Sequence, residues 1–153
     1  MCQLNRDERV MATLGGVISD EQTRIRLGRW IHHWDEYGFG IWTFRDPSTK
    51  IFVGRAGLHK TVIEGVVETE LLYAVRAEFW RLGYATEMSE SILRLAAREM
   101  SQVDLACFTM MTNVASRRTM EKLGFRYERD IVRANLPHVL CRLPRSELIR
   151  AYG

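Results

Sequence analysis

A chain of 153 residues, 46% hydrophobic and 27% charged, has the makeup of a globular domain with its own core rather than a disordered or fibrous one. Its 22 Lys+Arg against 19 Asp+Glu leave a formal charge of +3, and both signs are interspersed, which argues against the basic stripe of a nucleic-acid binder. No run nears the ~18 apolar residues of a membrane span. The opening Met1–Glu8 is acidic and not a signal peptide, and Cys2, Cys107 and Cys141 are too scattered for a disulfide frame or a thiolate zinc site. One domain over residues 1–153 in the reducing cytoplasm is the expectation.

In chain order, Asp7 to Leu14 reads as a short helix ended by Gly15-Gly16. Ser19-Asp20-Glu21-Gln22 has the form of a capping box. Behind it Leu27, Trp30, Ile31 and Trp34 fall on one helical face that stops before Gly38. Gly40 to Phe44, Ile51 to Leu58 and Thr69 to Val75 read as strands, separated by turns at Asp46-Pro47-Ser48-Thr49 and Ile63-Glu64-Gly65-Val66. Met88, Ile92, Leu95 and Ala96 restore the helical period over Thr86 to Met100. Val103 to Met111 is strand-like, and Asn113 to Leu123 is a helix stopped by Gly124. Tyr127 to Val132 and Val139 to Leu143 suit a closing hairpin. A strand–helix–strand crossover between residues 69 and 111 demands one parallel pair in an otherwise antiparallel sheet. The expected fold is mixed α/β with helices on both faces.

Chemistry concentrates in Glu70 through Glu87, a strand, a short loop with Gly83, then a helix. The first turn of a helix leaves N–H groups unpaired, its dipole is positive there, and a glycine without Cβ lets a bulky anion approach. That is a cradle for a pyrophosphate, although an ordinary strand-to-helix turn uses the same residues. A G-x-x-x-x-G-K-[ST] loop is missing, and Gly38-x-Gly40 has Thr43 where a dinucleotide fingerprint needs its third glycine.

Trp80-Arg81-Leu82-Gly83-Tyr84-Ala85-Thr86-Glu87 resembles the acetyl-coenzyme A pyrophosphate loop of the GNAT superfamily of N-acetyltransferases, and Asn113 through Phe125 resembles that superfamily's second signature. Gly38-Phe39-Gly40-Ile41-Trp42 and Gly54-Arg55-Ala56-Gly57-Leu58 extend the likeness from about residue 5 to 148. The branch it is most similar to is the ribosomal-protein N-terminal (alanine) acetyltransferase-like group. The resemblance implies a mostly antiparallel central sheet, with acetyl-coenzyme A as acetyl donor. Main-chain N–H groups of Arg81, Leu82, Gly83, Tyr84, Ala85 and Thr86 would hold its pyrophosphate. Tyr73, Ala74 and Val75 would offer main-chain hydrogen bonds to the pantetheine arm, with Asn113 and Ser116 beside it and Phe125 closing the pocket. Each also has a plain structural use: Asn113 is a good N-cap and Phe125 a good core residue.

The chain departs from the family pattern in places. Arg81 stands where the loop usually has a second glycine, and Met120 where many members carry an acidic tyrosine. Leu105 to Thr112 contains no carboxylate. Relatives usually carry an extra strand before the first helix, a strand the sequence here does not show. The implied reaction is attack of a neutral amine on a thioester. A protein α-amine, pKa about 7.8, is roughly 14% neutral at pH 7, a lysine only ~0.04%. The gap, ~3.5 kcal/mol, matches what a strong base contributes, so a site short of bases favours an α-amine. Glu70 is the candidate general base, with Glu68 on the same face if the strand is regular. Trp34, Tyr37 and Trp42 suit either an acceptor cleft or the core. His32, His33, His59 and His138 show no metal-ligand spacing, so no metal is expected. A small-molecule amine acetyltransferase, a non-catalytic acyl-coenzyme A sensor and, from Gly54-Arg55-Ala56-Gly57, an RNA-binding GXXG loop remain as alternatives. A homodimer is compatible with all of them.

Overall fold

The computed structural model describes residues 1–100 and 103–153. The chain opens with two short helices, α1 (Cys2–Arg6) and α2 (Glu8–Met11), then α3 (Asp20–Tyr37), β1 (Ile41–Arg45), β2 (Phe52–Ile63) and β3 (Val66–Val75). A 3-10 turn (Ala77–Phe79) leads into α4 (Tyr84–Glu99). β4 (Leu105–Met110), α5 (Val114–Lys122), β5 (Arg126–Arg133), β6 (Leu136–Leu143) and α6 (Arg145–Tyr152) complete it. The six strands form one sheet in the order β1-β2-β3-β4-β6-β5, antiparallel except for β3 beside β4. The mixed α/β fold expected from the sequence is the fold observed.

Local chemistry sets the elements. Ser19 caps α3 through a reciprocal bond with Gln22, and Gly38 ends the helix in the left-handed region. The expected face of α3 is partly right: Leu27, Trp30 and Trp34 turn inward with Thr23 and His33, whereas Ile31 is 64% exposed. The helix expected over Asp7 to Leu14 is the shorter α2, capped by the Asp7 carboxylate, and α1 before it was not expected. Glu64 and Gly65 make the β2–β3 turn and Ala134 and Asn135 the β5–β6 turn, all four with positive φ.

Two layers cover the sheet. On one face Leu58, Leu71, Val75, Leu105, Cys107 and Val139 pack under Met88, Ile92 and Leu93 of α4, Met120 of α5 and Leu148 of α6. An extra residue in β2 at Val53, against the step from Phe44 to Arg45, turns Val53 toward the same core. On the other face Ala74 packs against Leu4, Val10 and Met11 of α1 and α2. Farther along this face Ile63, Ala106, Ile131 and Leu140 form a small apolar cluster beside Phe108. The Arg133 guanidinium lies 4.5 Å from the Phe108 ring centre, and Arg142 ties Glu68 to Glu128 across it.

Candidate active site

The parallel pair positions the site. Among the described residues β3 and β4 pair only at Thr69–Leu105 and Glu70–Ala106, although β3 runs on to Val75 and β4 to Met110. Beyond these residues the strands part and leave a wedge at their carboxyl ends. Ligands of open α/β sheets bind at such strand ends, and here α4 and α5 both begin there. Arg76 donates its N–H to Val53 O, so alternation turns the main-chain groups of Tyr73 and Val75 toward the wedge and those of Ala74 into the ladder with Arg55. Val75 O accepts the Trp80 indole N–H at 2.9 Å, which leaves the two N–H groups and Tyr73 O facing the gap.

At the mouth of the wedge lies the loop before α4. Gly83 sits at φ 85 as the N-cap of α4, no side chain caps the helix, and a Cβ built at Gly83 would meet nothing within 4 Å. Among the described residues no bond of the loop uses the N–H of Arg81, Leu82, Gly83, Tyr84, Ala85 or Thr86. Free amides, a positive helix end and an open approach at Gly83 together fit a diphosphate. Arg81 is held at φ 63, the conformation that suits glycine, which explains physically why a second glycine is at home there. Tyr84 donates to Asp46 at 3.4 Å and so packs the β1–β2 turn against this loop.

Two side-chain contacts tie the start of α5 to the rest of the fold. Tyr73 Oη lies 2.9 Å from Ser116 Oγ and donates to Ser116 O at 3.1 Å, linking β3 to α5. Asn113 caps α5 by accepting the Ser116 N–H at 3.1 Å, and its Nδ2 donates to Thr13 Oγ1 at 3.0 Å. Its amide is thus engaged at both ends. Phe125 is buried in the main core, with its N–H bonded to Met120 O. Met120 itself is 1% exposed and packs inward one turn beyond Ser116.

Glu70 lies on the opposite face of the sheet at the apex of the wedge, 7% exposed. β3 pairs with β2 without a register break, so Glu68 and Glu70 do share a face. His59 is the cross-strand partner of Glu70, and its Nδ1 stands 3.5 Å from Glu70 Oε2 with no hydrogen bond of its own among the described residues. Burial pushes the Glu70 carboxyl up to about 8, against a smaller opposing pull from Arg133. Burial, helped by His33 and Arg133, lowers His59 to about 4. Beside them His33 is fixed between Phe39 O at 2.8 Å and the Lys60 N–H at 2.9 Å. Sequence reasoning missed His59; its pairing with Glu70 is visible only once strand register is known.

Trp34 and Trp42 meet edge to face at 4.9 Å and line a cleft of about 290 Å³ with Leu95, Glu99 and Met100, at the far end of α4 from Gly83. They therefore stand apart from the loop before α4.

A family description, "Acetyltransferase (GNAT) domain", matches residues 1–126. The chain belongs to the GNAT acetyltransferases. A GNAT protein of this kind is an N-acetyltransferase, and the family uses acetyl-coenzyme A as its co-substrate. The chain is 30% identical over 139 residues to the uncharacterized protein YkkB of Bacillus subtilis (strain 168), covering 88% of this chain and 78% of YkkB. Its fold is similar to that of a GnaT-family acetyltransferase from Bordetella pertussis, with TM-score 0.82, 24% identity, and coverage of 93% and 88%. It is also similar to a spermidine N-acetyltransferase of Vibrio cholerae solved with CoA and spermine, at TM-score 0.78, 14% identity, and coverage of 97% and 89%. A ribosomal-protein-S5-alanine acetyltransferase of Vibrio fischeri matches at TM-score 0.70 and 12% identity, over 85% and 74%. These structural likenesses concern the fold. Among the described residues, no helix of this GNAT chain is long and apolar enough to cross a membrane, and no group of three His, Cys, Asp or Glu could hold a metal ion.

Proposed function

We propose that this GNAT enzyme acetylates a primary amine of low basicity, a protein N-terminal α-amine of the ribosomal-protein type, by direct attack on the thioester, with Glu70 as the general base. Acetyl-coenzyme A supplies the acetyl carbon that the amine attacks. The free amides from Arg81 to Thr86 bind its diphosphate, the wedge-facing amides of Tyr73 and Val75 hold the arm, and Ser116 bounds the far side, while Phe125 stays in the core behind it. Binding the two reactants in one wedge removes much of the entropic cost of their encounter.

The observation that carries the acceptor class is the Glu70–His59 pair. A carboxyl pushed up to about 8 by burial is matched to an α-ammonium near 7.8, so proton transfer between them is close to level. Transfer from a lysine or polyamine ammonium near 10.4 would be uphill by ~2.4 pKa units, ~3.3 kcal/mol. At pH 7 roughly a tenth of Glu70 is ionised, so kcat/KM should rise with pH and level off above about 8.

A panel of peptide N-termini, lysine side chains, spermidine and aminoglycosides, followed by free-thiol release with acetyl-coenzyme A, tests the reading. Peptide N-termini should be favoured by at least tenfold at pH 7, and Glu70→Gln should lose the alkaline rise. A preference for spermidine would instead assign a polyamine acceptor, the substrate carried by the matched Vibrio cholerae structure.

A further inference from the structure

We propose that His59 is a positioning residue for the general base: its neutral ring donates the Nδ1–H to Glu70 Oε2, which orients the carboxylate and leaves Oε1 to take the amine proton. The inference rests on the reading of Glu70 as that base, and it names the group that aims the base and favours its ionised form.

Geometry carries it. His59 and Glu70 stand directly opposite each other on β2 and β3, so their side chains leave the same face of the sheet. His59 Nδ1 is buried with no hydrogen bond among the described residues, and Glu70 Oε2 lies 3.5 Å from it. A buried polar nitrogen is costly until it finds a partner, and closing the gap by about 0.5 Å brings this pair to ordinary hydrogen-bond length. Catalytic hydrogen bonds are often this long before substrate is bound. The ring of His33 sits 6.1 Å from that of His59, and both its nitrogens are engaged, with Phe39 O and the Lys60 N–H. It therefore competes for neither atom of the pair.

The charged and titratable groups around the pair fit the same assignment. Burial, helped by His33 of α3 and Arg133 of β5, lowers His59 to about 4, so at neutral pH the ring is a donor and not itself the base. Burial raises Glu70 to about 8 against a pull from Arg133, so its ionised form gains from each hydrogen it accepts. Burial, with Glu70 adding to it, keeps Cys107 of β4 a neutral thiol. Glu68, on the face of Glu70, is bonded to Arg142 of β6. A hydrogen bond to a charged oxygen is stronger than one to a neutral oxygen, so the Nδ1–H favours the carboxylate over the acid. When the amine attacks, its proton goes to Oε1, the Nδ1–H stays on Oε2, and His59 ends the step unchanged.

The test follows the side-chain carboxyl carbon of Glu70 by carbon-13 NMR against pH in wild type, His59→Phe and His59→Asn, the signal being the one lost in Glu70→Gln. A hydrogen bond to the ionised form is worth about 1–2 pH units in the midpoint. His59→Phe should raise the midpoint by at least about one unit and lower kcat/KM at pH 7 about tenfold, a loss that shrinks as pH rises. In His59→Asn the amide N–H takes the place of the Nδ1–H, and the midpoint should return to within about half a unit of wild type. In wild type itself, the nitrogen-15 signal of His59 Nδ1 should be that of a nitrogen bearing hydrogen once Glu70 is ionised. An unmoved midpoint in His59→Phe, or a wild-type Nδ1 without hydrogen at that pH, would overturn the assignment. Wild-type kcat/KM in Glu70→Gln at every pH would overturn instead the reading of Glu70 as the base.

Discussion

His59 Nδ1 and Glu70 Oε2 face each other at 3.5 Å across the β2–β3 ladder, both withdrawn from water. This pair gives the fold a pH dependence with opposite signs at its two ends. Folded Glu70 keeps its proton to about pH 8, whereas an unfolded carboxyl loses it near 4.5, so stability falls as pH rises through that window. Folded His59 stays neutral down to about 4 while the unfolded ring protonates near 6.5, so stability is lost as pH falls from 6.5 toward 4. The two slopes oppose each other between 4.5 and 6.5, which leaves a plateau there and a decline from 6.5 to about 8. Thermal melts of Glu70→Gln should lack the alkaline decline, and the variant should gain on wild type at pH 8 far more than at pH 5.

Arg81 holds a left-handed backbone without being glycine. Arg81→Gly should relieve that strain and raise stability by about 0.5–1 kcal/mol, a gain of about 1–4 °C in Tm for a chain of this size. Denaturant titration is the check.

Gly83 presents the reverse case. Its φ of 85 disfavours any Cβ, and the space in front of it is open. Gly83→Ala should cost about 1–2 kcal/mol of stability and also lower coenzyme affinity at least tenfold, because the methyl occupies the anion's approach. Calorimetric titration at a temperature where both proteins are folded separates the two effects.

Arg142 donates to Glu68 at 3.0 Å and also bonds Glu128, and so fastens the β2–β3 hairpin to β5 and β6 at the closed end of the wedge. Removing it leaves the nearly buried Glu68 carboxylate without a partner. Arg142→Ala should therefore destabilise by about 2 kcal/mol, and Glu68→Gln in that background should recover part of the loss. Unfolding midpoints in urea measure both.

Much of this was legible in the sequence because the informative signals are local. Gly83 opening a helix, Ser19 capping with Gln22, and the Glu64-Gly65 turn need only their neighbours, and each falls where it was expected. Helix α6 was missed because Leu148 is its one buried residue, too little for a period to register. The functional pairings were hidden for another reason. His59 meets Glu70, Tyr73 meets Ser116, and Thr13 meets Asn113 through strand register and crossover geometry, which no single stretch encodes. Asn113 shows how one residue type serves local and distant needs at once: the cap was readable from its place before the helix, the bond to Thr13 was not.

The central claim is that main-chain amides before and at the start of α4 hold the coenzyme diphosphate, and amide NMR of isotope-labelled protein reads those atoms directly. On saturation with coenzyme A the signals of residues 81 to 86 should shift more than any others, while pantetheine, which lacks the diphosphate, should leave them in place. Binding of coenzyme A with these six signals unmoved would contradict the account.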